Sequence, residues 1–154
     1  MVYLIVSPQN PLKDSFKAHN AQERYQAAIE AVARHPEISV RVDDIEMHMP
    51  APHYTIQTLR ALALREPGNG FTFVMGADSL ADIRRWKDYY SILKDFGVAV
   101  FPREGVDLEA VRRDLLLECP DFKIRLIDAP LVNVSSSMIR EAAARGEDVS
   151  KLLM

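Results

Sequence analysis

The stretch GADSLADIRRWKDYY, Gly76 to Tyr90, follows the apolar run FTFVM at 71–75, and its reading decides the fold. A short run of Phe, Val and Met has the character of a buried strand. The Gly-Ala-Asp at its end reads as a strand-to-helix turn at the C-terminal rim of a sheet, where ligands of open α/β sheets collect. Gly76 permits a bend or the close approach of a ligand, and Asp78 either caps a helix starting near Ser79 or accepts hydrogen bonds from a sugar hydroxyl. Trp86, with Tyr89 and Tyr90, is either helix packing or an aromatic surface for a flat ring.

On both sides of this turn, strands and helices alternate. Apolar runs at 2–6 and 97–101 read as buried strands of a parallel sheet, the first as an inner one. The segments ISVRV at 38–42 and FKIRLI at 122–127 alternate apolar and polar residues, as half-exposed edge strands do. Four helical patterns go with them. The first runs from about Ala21 to Arg34, with a Glu30–Arg34 pair and His35 in the last turn. The second runs from about Ile56 to Arg65, with Ile56, Leu59 and Ala63 inward. The third is capped by Asp107, with Leu108, Val111 and Leu115 inward; the fourth spans 135–146, with Ile139, Ala142 and Ala143 on one face and Gly146 as its stop. Such alternation indicates an α/β, three-layer domain with a mainly parallel sheet.

The 154 residues are enough for one domain with a real core, and no composition break marks a second, so 1–154 reads as a single domain. The net charge of −3 and the lack of a Lys/Arg block argue against a nucleic-acid groove. A single cysteine excludes an internal disulfide, no apolar run approaches membrane-spanning length, and the first fifteen residues lack a secretion signal. A soluble cytoplasmic protein is expected. A homo-oligomer is compatible with the sequence and not decided by it.

The residues that carry chemistry are mostly binders of phosphate and sugar. VSSSMIR, 134–140, places hydroxyls and Arg140 at a helix start, where backbone N–H groups are unpaired, so it reads either as an anion seat or as an ordinary serine cap. Lys13, held between Pro8 and Pro11 on one side and a helix on the other, can neutralise a phosphate, and Lys17 and Arg24 are neighbouring cations. Thr55 can cap the second helix and leave Tyr54 free to lie against a ring. Asp43, Asp44, Glu46, His48 and His53 match no strong ligand spacing, so no protein metal site is expected. No Ser-His-Asp, Cys-His or carboxylate-pair arrangement stands out. Nucleotidyl transfer suits this set, because positioning and charge neutralisation carry it without a covalent intermediate.

In order along the chain, VSPQNPLKD (6–14), QERY (22–25), HYTIQTL (53–59), FVMGADSLADIRRWKDY (73–89) and VSSSMIR (134–140) resemble the bacterial nicotinate-nucleotide adenylyltransferases. The resemblance implies a Rossmann-like nucleotidyltransferase fold. It also implies transfer of the adenylyl group of ATP to nicotinate mononucleotide, giving deamido-NAD and pyrophosphate, with Mg²⁺ held mainly through ATP phosphates. By the same resemblance, Ser136, Arg140 and Lys13 would serve the phosphates, Gly76 and Asp78 would lie beside the nucleotides, and Tyr54, Thr55 and Trp86 would surround the nicotinate ring. Two local departures are His53 where a serine is common and Gln57 where an acidic residue is common.

A larger departure lies at the start. The family opens with a glycine-rich strand and a His-x-Gly-His motif that contacts ATP phosphates, and residue 2 instead resembles the beginning of its second strand. The first strand is therefore expected to be missing, together with the C-terminal end, and no catalytic residue is assigned. The expectation is a portion of a longer enzyme, with Met1 an internal methionine, inactive alone, and with two open backbone edges and a strip of exposed apolar surface. The alternatives are a catalytically incomplete nucleotide-binding domain, a related nucleotidyltransferase acting on another phosphorylated acceptor, or a flavodoxin-like signalling domain, which leaves the 135–140 seat unexplained.

Overall fold

Five short strands, each pairing only in parallel, alternate with helices in the computed structural model, which describes residues 1–8, 21–131 and 136–148. This is the α/β arrangement of a Rossmann-like fold. The chain forms two compact units, 1–53 with 135–154 and 54–134.

In the first unit, β1 (Val2–Ile5) pairs with β2 (Val40–Asp43) in a register that sets Val2 opposite Val40 and Ile5 opposite Asp43. The crossover contains α1 (Ala21–Ala33), which lies against β2. A 3₁₀ turn at Ile45–His48 follows β2, and α6 (Ser136–Ala144) belongs to the same unit. The inner-strand expectation for 2–6 is corrected. Among the described residues β1 has a partner on one flank only, and Val2 and Leu4 are exposed. On α6, Ala142 is buried but Ala143 is exposed, so the inner face is narrower than its apolar content suggests. Two polar expectations also shift. Arg34 donates to the backbone carbonyl of Glu30 at 3.2 Å, while the Glu30 carboxylate takes the Gln26 amide, and His35 lies past the helix, paired with Glu37.

The second unit contains α2 (Thr55–Arg65), β3 (Phe73–Gly76), α3 (Ala77–Ala81), a 3₁₀ turn at Ile83–Arg85, α4 (Tyr89–Ser91), a π-helical turn at Ile92–Phe96, β4 (Val98–Phe101), α5 (Leu108–Glu118) and β5 (Ile124–Leu126). Its sheet runs β3-β4-β5, with Phe73 opposite Val98 and Val98 opposite Ile124. The core draws on helices and sheet together: Ile56 and Leu59 from α2, Leu80 from α3, Val98 and Val100 from β4, and Leu115 from α5 are all buried in one cluster. On α2 the inward residue of the last turn is Leu62 rather than Ala63. As the sequence indicates, the Asp107 carboxylate caps α5 by accepting from the Ala110 amide at 3.0 Å.

The entry to β4 requires glycine. Gly97 has φ +85°, and a Cβ there would sit 2.7 Å from Lys123 Cβ and 3.0 Å from its carbonyl oxygen. That closeness follows from hydrogen bonding: Gly97 donates to Ile92, closing the π turn, and Val98 donates to Lys123, opening the β4–β5 ladder. The open edges expected from the sequence are present. Among the described residues β3 pairs on one flank only, and its Val74 is exposed, as are Val2 and Leu4 of β1.

Candidate functional site

The end of β3 places Gly76 and Asp78 at the strand rim, but Asp78 does not act as a cap. The helix starts at Ala77, two residues earlier than its composition suggests, with Gly76 in the N-cap position and Asp78 inside the first turn. The Asp78 carboxylate folds back: a Cβ on Gly76 would meet Asp78 Oδ1 at 2.6 Å. The same oxygen lies 3.6 Å from Arg103 Nε, in the loop after β4. Gly76 thus leaves room for an exposed carboxylate–guanidinium pair between two strand ends. Arg103 carries no local motif in the sequence, and only the parallel β3–β4 register brings it to Gly76.

The segment after α3 is not one helix, and this redistributes its aromatics. Trp86 ends the 3₁₀ turn in extended conformation, and Asp88 follows in the left-handed region at φ 50°. Helical spacing therefore fails across 83–90. Trp86 packs edge-to-face on Phe73 of β3, with centroids 5.7 Å apart. Tyr89 and Tyr90 go instead to Phe122, at 6.5 and 4.9 Å, so the aromatic surface expected from these three residues is divided. Both hydroxyls are engaged: Tyr89 donates to Glu118, which also takes Arg84, and Tyr90 donates to Cys119 Sγ. The hydrogen bond from the Tyr89 hydroxyl and then that from Arg84 hold the Glu118 carboxyl below its ordinary value, while the same hydrogen bond to Glu118, with desolvation and the Glu118 charge behind it, pushes the Tyr89 phenol up.

Tyr54 and Thr55 open α2. Tyr54, not Thr55, is the N-cap residue; its carbonyl accepts from the Gln57 amide at 2.8 Å, and its own amide donates to Gln57 Oε1 at 3.4 Å. Gln57 therefore supplies the amide-capping oxygen that an acidic residue at that position would. Over the Tyr54 ring lies Lys87, its Nζ 4.6 Å from the centroid. Lys87 is held in a loop fixed at both neighbours, since Trp86 rests on Phe73 and Asp88 accepts from Arg60 of α2 at 2.7 Å and from the Ser91 amide at 3.4 Å. Hydrogen bonding from Ser91, with the Arg60 guanidinium behind it, keeps the Asp88 carboxyl below the ordinary carboxylate range. Neither Lys87 nor Arg60 stands out by spacing. The only sequence signal was their membership in RWKDY and in the helix that follows Tyr54.

Lys13 and Lys17 lie outside the described residues, as does Ser135; Ser136 and Arg140 fall on the backbone of α6, and their side chains are also outside what is described. Arg24 donates to the Pro8 carbonyl at 2.9 Å. The acidic and histidine residues at 43–53 have local partners: Asp43 Oδ1 accepts from the Ile45 amide, Asp44 pairs with His48 at 3.1 Å, and His53 reaches the Met49 carbonyl at 3.0 Å. No three His, Cys, Asp or Glu among the described residues gather as a metal site, and no described helix is long and apolar enough to cross a membrane.

Residues 1–142 match the cytidylyltransferase-like family model. A probable nicotinate-nucleotide adenylyltransferase of Flavobacterium johnsoniae is 34% identical over 152 residues, covering 99% of this chain and 75% of the relative. One of Symbiobacterium thermophilum is 33% identical over 147 residues, covering 94% and 70%. Among solved structures, the Plasmodium falciparum nicotinic acid mononucleotide adenylyltransferase complexed with NaAD superposes with a TM-score of 0.71 at 18% identity, over 97% of this chain and 72% of that one, and so shares the fold. With the matched stretch running through the start of α2, the β3 rim and the turn at Trp86, the chain belongs to the bacterial nicotinate-nucleotide adenylyltransferases of the cytidylyltransferase-like family.

Proposed function

We propose that this chain carries the chemistry of adenylyl transfer from ATP to nicotinate mononucleotide, a step of NAD biosynthesis. The observation that carries the reading is identity of 34% over 99% of the chain to a relative of that name. In the reaction, an oxygen of the mononucleotide phosphate forms a bond to the α-phosphorus of ATP, the bond from that phosphorus to the β-phosphate bridge breaks, and pyrophosphate leaves with the electron pair. No protein nucleophile is needed. The protein's part is to align the two phosphates and offset charge. Ser136, Arg140 and Lys13 take the ATP phosphates; Gly76 and Asp78 sit beside the nucleotides, with Asp78 an acceptor for sugar hydroxyls; Tyr54, Thr55 and Trp86 take the pyridine ring. Mg²⁺ travels with ATP on its triphosphate oxygens, which asks few ligands of the protein.

A second reading, nucleotide binding without turnover, is favoured by the absence of a His-x-Gly-His sequence from residues 1–154. Pyrophosphate release is measured with ATP, Mg²⁺ and nicotinate mononucleotide, using this chain and its longest upstream in-frame extension. Release dependent on the acceptor, by either protein, is the expected result. Binding of ATP with no release from either protein selects the second reading, and neither binding nor release overturns both.

A further inference from the structure

We propose that Arg103 is the counter-charge that allows Asp78 to serve an anionic nucleotide at the β3 rim. The role rests on taking Gly76 and Asp78 as lying beside the nucleotides, and it deepens that reading by naming the residue that makes a carboxylate tolerable there. A carboxylate accepts well from sugar hydroxyls. A nucleotide, however, brings its phosphates with its sugar, and a bare negative charge on the rim repels them. A cation against the carboxylate removes that penalty and leaves acceptor positions for the hydroxyls.

The fold builds this neighbour in. Gly76 and Phe101 are register partners at the ends of β3 and β4, and Asp78 and Arg103 each lie two residues beyond them. The Arg103 backbone is fixed by its own loop: Pro102 precedes it, and its carbonyl accepts from the Val106 amide at 3.4 Å across a turn in which Gly105 has φ +80°. Its Nε lies 3.6 Å from Asp78 Oδ1, and the missing Cβ of Gly76 would stand 2.6 Å from that oxygen and 3.7 Å from Arg103 Nε. Both side chains stay open to a ligand, Arg103 at 45% and Asp78 at 61% exposure. So exposed a pair adds little to stability. Its separation also exceeds that of a good hydrogen bond, so the guanidinium offsets the carboxylate's charge without occupying its acceptor positions.

Binding of ATP with Mg²⁺ is measured by calorimetry for R103M, R103Q, R103K, D78N and D78N/R103M, in whichever of this chain and its longest upstream in-frame extension binds ATP. R103M and R103Q leave the carboxylate uncompensated and are expected to weaken binding about 10- to 30-fold, whereas R103K, which keeps the charge, weakens it about threefold or less. D78N retains a carbonyl acceptor for the hydroxyls and should weaken binding about two- to fivefold. The deciding comparison is D78N/R103M. It is expected to bind ATP more tightly than R103M, at about the level of D78N, because no uncompensated charge remains. A purely structural role for Arg103 gives no such recovery. ATP affinity within about twofold of the unsubstituted protein in both R103M and R103Q overturns the proposal. A double variant as weak as R103M makes Arg103 a direct ligand of the nucleotide or a support of the fold, and also overturns it. Binding of ATP by neither unsubstituted protein defeats the nucleotide reading of the rim, and the role of Arg103 falls with it.

Discussion

The unit of residues 54–134 and the unit built on β1 and β2 use the same parallel βαβ device, yet among the described residues only the former surrounds its sheet with a dense core. Its helices and strands bury Ile56, Leu80, Ile83, Leu93, Val100 and Leu115 to below 2% exposure. In the other unit α1 buries no residue, and the buried apolar residues among those described are Val6 and Ala142, each 8% exposed. The difference teaches that a shared topology does not distribute stability evenly. An apolar strand stabilises in proportion to the surface that something covers, and β1 leaves Val2 and Leu4 uncovered.

The sharpest way to break this comparison is a large-to-small change in each unit. Leu115→Ala should cost about 2–5 kcal/mol, because it opens a cavity in the packed unit. Ile29→Ala, on the half-covered α1, should cost about 1 kcal/mol or less, since the side chain is partly exposed already and alanine favours the helix. Urea melts followed by Trp86 fluorescence and by far-ultraviolet circular dichroism check both, and equal shifts would remove the contrast. A smaller effect is expected at the π turn. Gly97→Ala must adopt φ +85° and press on Lys123, so a loss of about 1–3 kcal/mol is expected in the same melts, confined to the unit that contains Trp86.

The smallest effect concerns pH and the Tyr89–Glu118–Arg84 cluster. The folded Glu118 carboxyl titrates below its ordinary value of 4.5, so its contribution is complete above that value and is lost as pH falls through the depressed folded one. The folded Tyr89 phenol titrates above its ordinary value of 10.0, so its contribution is complete below that pH and is lost as pH rises through the raised folded one. Glu118→Gln should flatten the melting temperature against pH at both ends. The groups are solvent-accessible and screened, so the change should be modest and should shrink with added salt.

Much of this fold was legible in the sequence because period and punctuation act locally. The apolar runs became strands within about two residues of their expected limits, and Asp107 announced its helix through a cap that depends on three neighbouring residues. Legibility failed wherever a side chain is placed by residues far away. Asp78 reads as a cap until Arg103, twenty-five positions on, offers a partner through the β3–β4 register. Trp86, Tyr89 and Tyr90 look like one aromatic face until the left-handed Asp88, clamped from α2 by Arg60, turns the chain between them. Arg60 and Lys87 gave no sign of belonging together with Tyr54, since charged residues on a helix and in a loop have the same composition whether or not they aim at anything.

Among the described residues β3 pairs on one flank only, and this makes concentration a variable of this fold. The residues of β3, Phe73-Val74-Met75-Gly76, include no charge and no proline to discourage another strand, and the Phe73 amide points to Gly97, so the pleat turns the Val74 amide to the side away from β4. Any extended segment that docks there lowers the free energy of the folded form by mass action. The melting temperature should accordingly depend on how much strand-forming material, including other copies of the chain, shares the solution, even with every intramolecular contact unchanged.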